Sequence, residues 1–213
     1  MTTSVETFEM LRSDIISGRY RPMHLFHPKQ LSEEHVVSVA PIREAMLRLS
    51  ERGLLRWERN RGFFVEKISS STALFHLDQL RSHYTYAIGR LKDKGDTIEL
   101  NVETSDRTVV DSVEKYKRWQ DSLASAIFSD SEQEFVRGAW DRIWIYRNHY
   151  LENAGIIEYK YNFMNKATKL ISEKRYDVCI QVTDALFRYV MSKFPDILCS
   201  LNNLQVMSAD VQQ

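Results

Sequence analysis

Cysteine is scarce: Cys179 and Cys199 are the only two in the chain. Two thiols in apolar settings build neither a disulfide framework nor a zinc site, and they read as buried thiols of a reducing compartment. No apolar run approaches the roughly 18 residues that a membrane helix needs, and no basic-then-apolar leader follows Met1. A soluble, cytoplasmic protein is expected. The signatures of catalysis are also missing: no nucleophile elbow, no phosphate loop, no paired His/Cys ligands and no acid–base pair. An enzyme is not expected. Nor is there an excess of charge of one sign, since 29 Lys+Arg meet 29 Asp+Glu. The balance hides a split. Residues 1–67 carry 11 basic and 9 acidic side chains, a net of +2, and the remainder carries 18 and 20, a net of −2. Any affinity for a polyanion must come from local clustering and from dimerisation rather than from bulk charge.

Such a cluster exists. Between Arg43 and Arg61 lie six arginines and three glutamates, inside the stretch Val37–Val65 around which the chain is organised. Ser38 is a helix N-cap type, expected to accept a backbone N–H through its hydroxyl. Pro41 fits the first turn. Ile42, Ala45, Met46 and Leu49 then recur at helical spacing and make one face apolar, while Arg43, Glu44, Arg48 and Glu51 take the other sides. Gly53 stops the helix. Two extended runs follow, 54–58 and 63–66, split by Arg59, Asn60, Arg61 and Gly62, a turn composition that suits a hairpin. A helix leading into a hairpin with a cationic tip is the shape of a winged helix-turn-helix. The helix suits the major groove and the tip suits the backbone or minor groove.

At this point the sequence resembles a family. Gly18-Arg19-Tyr20-Arg21-Pro22, Leu31, Val37-Ser38, Pro41-Ile42-Arg43-Glu44-Ala45-Met46, Leu49, Gly53-Leu54 and Asn60-Arg61-Gly62-Phe63-Phe64-Val65 stand in the register of the GntR DNA-binding domain. Some positions depart from that pattern. Met23 stands where a turn glycine is usual, Pro28 replaces an acidic residue, and Ser32 and His35 replace apolar ones. Val39 stands where the family commonly places a guanine-reading arginine, and a valine offers a base only contact with a thymine methyl or a sugar. Arg43 is the candidate for a base edge, Lys29, Ser38 and Arg48 for phosphates, and Arg59, Asn60 and Arg61 for the wing tip. For each, an ordinary solvated side chain is the competing reading.

Before this stretch, residues 4–17 read as a helix with Val5, Phe8, Leu11, Ile15 and Ile16 on one face. Residues 19–28 read as a connection, and 29–36 as a short helix begun by Pro28. Ser69-Ser70-Ser71-Thr72 is a polar joint, dividing a head at 1–68 from a second domain at 69–213. Beyond the joint the periodicity is helical throughout. Leu74, Leu77, Arg81, Tyr84, Ile88 and Leu91 form one stripe, and a charged loop over 92–103 follows. Val109, Val113, Tyr116, Gln120, Leu123 and Ile127 form the next stripe. A helix starting after Ser129 carries Val136, Trp140, Ile143, Trp144 and Leu151 and closes near Gly155. Phe163, Ala167, Leu170 and Ile171 mark another. Val178, Val182, Ala185, Leu186, Tyr189 and Val190 mark the last strong one, ended by Pro195, and the tail to Gln213 reads as a short helix or loose chain. The expected class is mainly α, a winged head with a small hairpin followed by an all-α bundle of about six helices.

The size and position of that bundle resemble the effector-binding domain of the FadR-type branch, with Trp119-Gln120-Asp121-Ser122-Leu123-Ala124 as the local anchor. Many such domains hold a divalent metal with one aspartate and three histidines. Carried over one by one, those positions fall on Tyr116, on Gln120, near Met164 or Asn165, and on Tyr189, none a good ligand. No metal and no cofactor are expected, and His76, His83 and His149 lie elsewhere. Polar groups within apolar stripes must be satisfied, at a cost of about 1–3 kcal/mol each otherwise. Arg81, Tyr116, Gln120 and Tyr189 are therefore the candidate effector-binding residues, with Arg81 suited to a carboxylate or phosphate. A self-satisfied polar network is the alternative. The function expected is a homodimeric DNA-binding regulator, a repressor by resemblance, that binds a pseudo-palindromic operator and a small-molecule effector. The alternative is a constitutive or heterodimerising regulator whose second domain senses nothing.

Overall fold

The computed structural model describes residues 3–95, 98, 100, 109–150 and 154–209; side chains at 109–117, 144–150, 154–158, 161 and 197–209 lie outside that description. The chain divides into two compact units, residues 1–69 with 141–149, and residues 70–140 with 150–213.

The first unit opens with α1 (Ser4–Ile16). Thr3 and Glu6 cap it reciprocally: the Thr3 N–H donates to Glu6 Oε2 at 2.7 Å and the Glu6 N–H to Thr3 Oγ1 at 3.2 Å. Phe8, Leu11, Ile15 and Ile16 are buried with Thr7, but Val5 is exposed, because it sits in the first turn at the edge of the stripe. A tight turn follows, with the His24 N–H donating to the Arg21 carbonyl at 3.0 Å, Pro22 at its second position and Met23 at φ 69° at its third. That is the backbone of a type II turn, whose third position favours glycine. The connection also contains β1 (Leu25–Phe26), which sequence periodicity does not reveal because two residues define no alternation. Then come α2 (Pro28–His35), closed by Val36 in the left-handed conformation, and α3 (Val39–Glu51).

Ile42, Ala45, Met46 and Leu49 of α3 are fully buried, and α3 packs on α1 and α2. Ser38 holds the N-cap position with extended backbone, yet its hydroxyl makes no capping bond, contrary to expectation. The C-terminus of α3 closes in a Schellman motif: the Gly53 N–H donates to the Ser50 carbonyl at 2.9 Å and the Leu54 N–H to the Leu49 carbonyl at 2.9 Å. Gly53 is required for its φ of +71° and for space, since a Cβ there would lie 2.9 Å from Nε of Arg142. Next come β2 (Leu55–Glu58) and β3 (Gly62–Val65), and β3 is the centre of an antiparallel sheet ordered β1-β3-β2. Leu55 pairs with Val65, Trp57 with Phe63, and Leu25 with Phe64. Residues 141–149, from a later helix, complete this unit. Asp141 is 3% exposed and takes Arg12 Nε and Nη2 at 2.6 Å each. Burial disfavours the Arg12 charge, but the bonds and charge of Asp141 outweigh it and raise the guanidinium pKa. Arg142 Nε donates to the Arg52 carbonyl at 2.9 Å.

The second unit is helical: α4 (Ser70–Lys94), α5 (Val109–Ile127), the first part of α6 (Asp130–Tyr150), α7 (Ala154–Ser172) and α8 (Tyr176–Ala209). Among the described residues these are five helices where about six are expected from the periodic stripes. The difference lies at Pro195, which stands inside α8 rather than ending it. A proline there removes one backbone bond, and Pro195 is exposed, where water can take the freed carbonyl. Gly155 likewise lies inside α7 and does not close α6. The buried face of α8 is Tyr176, Cys179, Thr183, Leu186, Phe187, Val190 and Phe194, so Val178, Val182 and Ala185 flank the core instead of forming it. On α4 the buried set includes Ala73, Leu77, Leu80, Tyr84, Ala87 and Ile88, which places Arg81 at the edge of the stripe rather than within it. Burial pushes the Cys179 thiol up to about 11, as befits an inert structural cysteine. The start of α6 is capped as Ser129 suggests, its N–H donating to Glu132 Oε2 at 2.8 Å, and Arg90 Nη2 binds the same oxygen at 2.9 Å. No described helix is long and apolar enough to cross a membrane.

Two predictions follow from these contacts. Met23→Gly relieves a left-handed side chain in a turn that glycine suits; an L-residue there costs about 1–2 kcal/mol and glycine's extra entropy about 0.5–1, so a small net gain and a higher melting temperature are expected. The hydrogen bonds from Arg90 and from the Ser129 N–H hold Glu132 down at about 2, below its ordinary 4.5. A carboxylate depressed in the folded state stabilises above its unfolded value, and that contribution is lost as pH falls through the folded value. Glu132→Gln should therefore melt below the unsubstituted protein at neutral pH, with the gap closing between pH 4.5 and about 2. Thermal melts along that range check it.

Candidate nucleic-acid interface

Burial of one side of α3 forces the other side outward. Ala40, Arg43, Glu44 and Leu47 are exposed, Leu47 at 54%. Arg43 forms no hydrogen bond or ion pair with another described residue, so its five donors stay available to an external acceptor. Lys29, at the start of α2, is exposed and equally free, and Ser38 is exposed at the head of α3. Arg48 is different. It is half-buried, with its guanidinium carbon 4.5 Å from the centroid of the Phe8 ring and that of Arg52 4.9 Å from the same ring. Cation–π contact of this kind is worth about 0.5–1 kcal/mol at exposed sites, enough to hold a side chain but not to lock it.

The hairpin tip is cationic but partly neutralised. Arg59 and Asn60 are exposed, and Asn60 adopts φ 64°, a left-handed value that asparagine tolerates. Arg61 bonds Glu58 at 2.6 Å, and Arg56 reaches the same carboxylate at 2.8 Å. The Arg61 guanidinium also lies 5.1 Å from the Phe64 ring centroid. Exposed ion pairs contribute about 0–1 kcal/mol, so Arg61 can exchange Glu58 for a phosphate at little cost. Sequence reasoning passes over several exposed residues beside these. Arg21 is exposed in the turn before β1. Trp57 is 56% exposed on β2, and Val36, in the turn between α2 and α3, is 90% exposed. Apolar residues read as core from sequence, so only accessibility finds them.

Among the described residues, the candidate effector side chains Arg81, Gln120 and Tyr189 do not line one cavity. Gln120 is buried and lines a cavity of about 10 Å³ with Tyr84, Trp119, Cys179, Thr183 and Phe187. Arg81 does not line it. Its Nη1 donates to Asp184 at 2.7 Å and its Nε to Asp78 at 2.9 Å, bonds that raise its pKa, and Asp184 also receives Arg188 at 2.6 Å. Tyr189 is half-buried with its ring 4.4 Å from that of Tyr159. The Tyr116 side chain lies outside the described residues. Met164 is buried and Asn165 exposed. His76 is buried, His83 is half-buried with its ring stacked 4.5 Å from Phe135, and His149 is outside the described side chains. Among the described residues no three His, Cys, Asp or Glu side chains form a metal-binding group. An open cleft of about 470 Å³ lies elsewhere, beside Arg90, Lys94, Phe128 and Ser129.

Comparison with known proteins places the head. Residues 3–65 match the sequence model of bacterial regulatory proteins of the gntR family. The Nta operon transcriptional regulator of Aminobacter aminovorans is 34% identical over 76 residues, 36% of this chain and 36% of that protein. The HTH-type transcriptional repressor RspR of Escherichia coli is 36% identical over 64 residues, 30% of this chain and 28% of the repressor. The matches thus span 28–36% of the length of these relatives. In fold the likeness runs further: a transcriptional regulator described as GntR from a Rhodococcus species superposes with a TM-score of 0.71 over 91% of this chain and 97% of its own, at 16% identity. These relatives are transcriptional regulators, not enzymes. Over residues 3–65 the chain carries the winged helix-turn-helix of the gntR family of bacterial regulatory proteins.

Proposed function

We propose that the chain is a cytoplasmic, homodimeric transcriptional regulator that represses by occupying a pseudo-palindromic operator. Residues 1–68 are its DNA-binding head. Residues 69–213 are a helical effector-binding and dimerisation domain of the FadR-type branch. The observation that carries this reading is Arg43, exposed and unpaired on the outer face of a helix whose other face is wholly buried. Arginine can bond guanine O6 and N7 together. Lys29, Ser38 and Arg48 hold phosphates, and Arg59, Asn60 and Arg61 clasp the strand beside the groove. A small metabolite that gathers Arg81, Tyr116, Gln120 and Tyr189 around it as the helical unit opens, without a metal, shifts the equilibrium between DNA-competent and DNA-incompetent states. RspR, a repressor by name, supports the sign of regulation.

A second reading, a constitutive or heterodimerising regulator that senses nothing, is favoured by one observation. The cavity beside Gln120, of about 10 Å³, is the size of one water, whereas ligand sites run to about 300–1,000 Å³. Arg81 is also already served by two carboxylates. Sensing would require the bundle to open and Arg81 to change partners.

Two experiments test these readings. Duplexes selected from a randomised pool by the full chain are titrated at several salt concentrations. Arg43→Ala should weaken the selected duplex by about 1–3 kcal/mol and relax its sequence preference, whereas Lys29→Ala should weaken all duplexes alike and lower the salt slope by about 1. Absence of any salt-sensitive, sequence-preferring complex overturns the reading. Thermal melts against carboxylates and phosphate esters separate the two forms of it: an effector raises the melting temperature with concentration, and unchanged melts across the library select the non-sensing form.

A further inference from the structure

The outward face of α3 is poor in hydrogen-bonding groups. From Val39 to Leu47 its exposed or half-exposed side chains are Val39, Ala40, Pro41, Arg43, Glu44 and Leu47. Only Arg43 donates and only Glu44 accepts, and no asparagine or glutamine stands among them to pair an adenine. Just before the helix, Val36 is 90% exposed with φ 54°. A β-branched residue in the left-handed region is a steric outlier, and a helix C-terminus there favours glycine or asparagine. Valine at 36 therefore serves neither the local backbone nor the core. It adds an exposed apolar side chain, in the turn that leads into α3, to those of Val39 and Ala40 in the first turn of the helix.

Resting on the head's reading as a DNA-binding domain, we infer that Val36, Val39 and Ala40 form an apolar lip that reads thymine C5-methyl groups beside the single guanine taken by Arg43. The methyl is the one apolar feature a base pair shows in the major groove, and it distinguishes T·A from every other pair there. Burying it against a valine needs no donor and no charge, which suits a head whose net charge is only +2, from 11 basic and 9 acidic residues over 1–67. The half-site so read is one guanine flanked by thymines. Specificity rests on contacts that salt does not screen, while phosphate contacts supply the salt-dependent part.

Deoxyuridine removes the methyl and nothing else, so the test is a thymine-to-uracil scan of the duplex selected by the full chain. In each half-site at least one uracil should weaken binding about fourfold, the effect of one buried methyl. Val39→Ala should abolish the effect at one position and leave others intact. Val39→Arg should change the base preferred at that position from thymine to guanine. Val36→Gly, whose backbone suits φ 54°, should melt no lower than the unsubstituted protein yet lose uracil sensitivity at a second position. Sequence-preferring binding with no uracil effect anywhere overturns the methyl readout and leaves the DNA-binding reading standing. Uracil effects that persist unchanged in both Val39→Ala and Val36→Gly overturn the assignment to the lip. Selection that yields no sequence preference at all overturns both.

Discussion

Everything proposed for the head depends on the burial of Ile42, Ala45, Met46 and Leu49. These four side chains are wholly withdrawn from water on one face of a thirteen-residue helix. Ile42, Met46 and Leu49 each contribute about 1.5–3 kcal/mol of hydrophobic stabilisation, far more than any surface charge pair in the head. The seam therefore fixes the rotation of α3, and Arg43 and Glu44 point to solvent because their neighbours cannot. The Schellman closure at Gly53 then sends the chain directly into β2, so the same seam sets where the hairpin begins. The pair of half-buried Arg12 and buried Asp141 acts within the same unit and fastens α1 to the segment 141–149. Removing Arg12 alone would leave the Asp141 charge buried and unpaired, which costs more than breaking an exposed pair at the hairpin tip.

The two units differ in how their polar groups are used. In the head, Arg43, Arg59 and Lys29 make no bond with another described residue, and the side chains that are engaged, Arg48 on Phe8 and Arg61 on Glu58, are held by weak contacts. Charges left free or loosely held are costless in water and available to a polyanion. In the helical unit the opposite holds. Arg81 bridges Asp78 and Asp184, Arg90 bridges Glu132 and the Ile127 carbonyl, and Trp119 donates to Thr168 at 2.9 Å. Most of that unit's engaged polar groups answer one another, although Thr183 Oγ1, beside the Gln120 cavity, is buried without a hydrogen-bond partner. A ligand entering it must repay the bonds it displaces, which is the physical content of the choice between a sensing and a non-sensing domain.

The sequence makes the head legible for local reasons. Its recognition helix has a clear 3.6-residue period, a glycine stop and a turn of Arg, Asn and Gly before a second extended run. Each of these signals is short-range, and each corresponds to an observed element. What stays hidden depends on partners distant in sequence. The two-residue β1 exists only because β3 offers an edge. The buried stripe on α8 runs through Cys179 and Thr183 rather than Val178, Val182 and Ala185, and Pro195 is tolerated because its side faces solvent. Arg81 sits at the margin of a stripe, so periodicity alone makes it a buried group in need of a ligand, and the two aspartates that answer it come from α4 and α8. At the interface, apolar Val36 and Leu47 are invisible to any reading that assigns hydrophobic residues to the core.

The most direct measurement is a crystal structure of the chain on a selected duplex. Expected is α3 lying in the major groove with the Arg43 guanidinium within hydrogen-bonding distance of a guanine and the Arg59–Arg61 tip against the adjoining strand. A complex in which the exposed face of α3 points away from the duplex, or in which Arg43 touches no base, would contradict it.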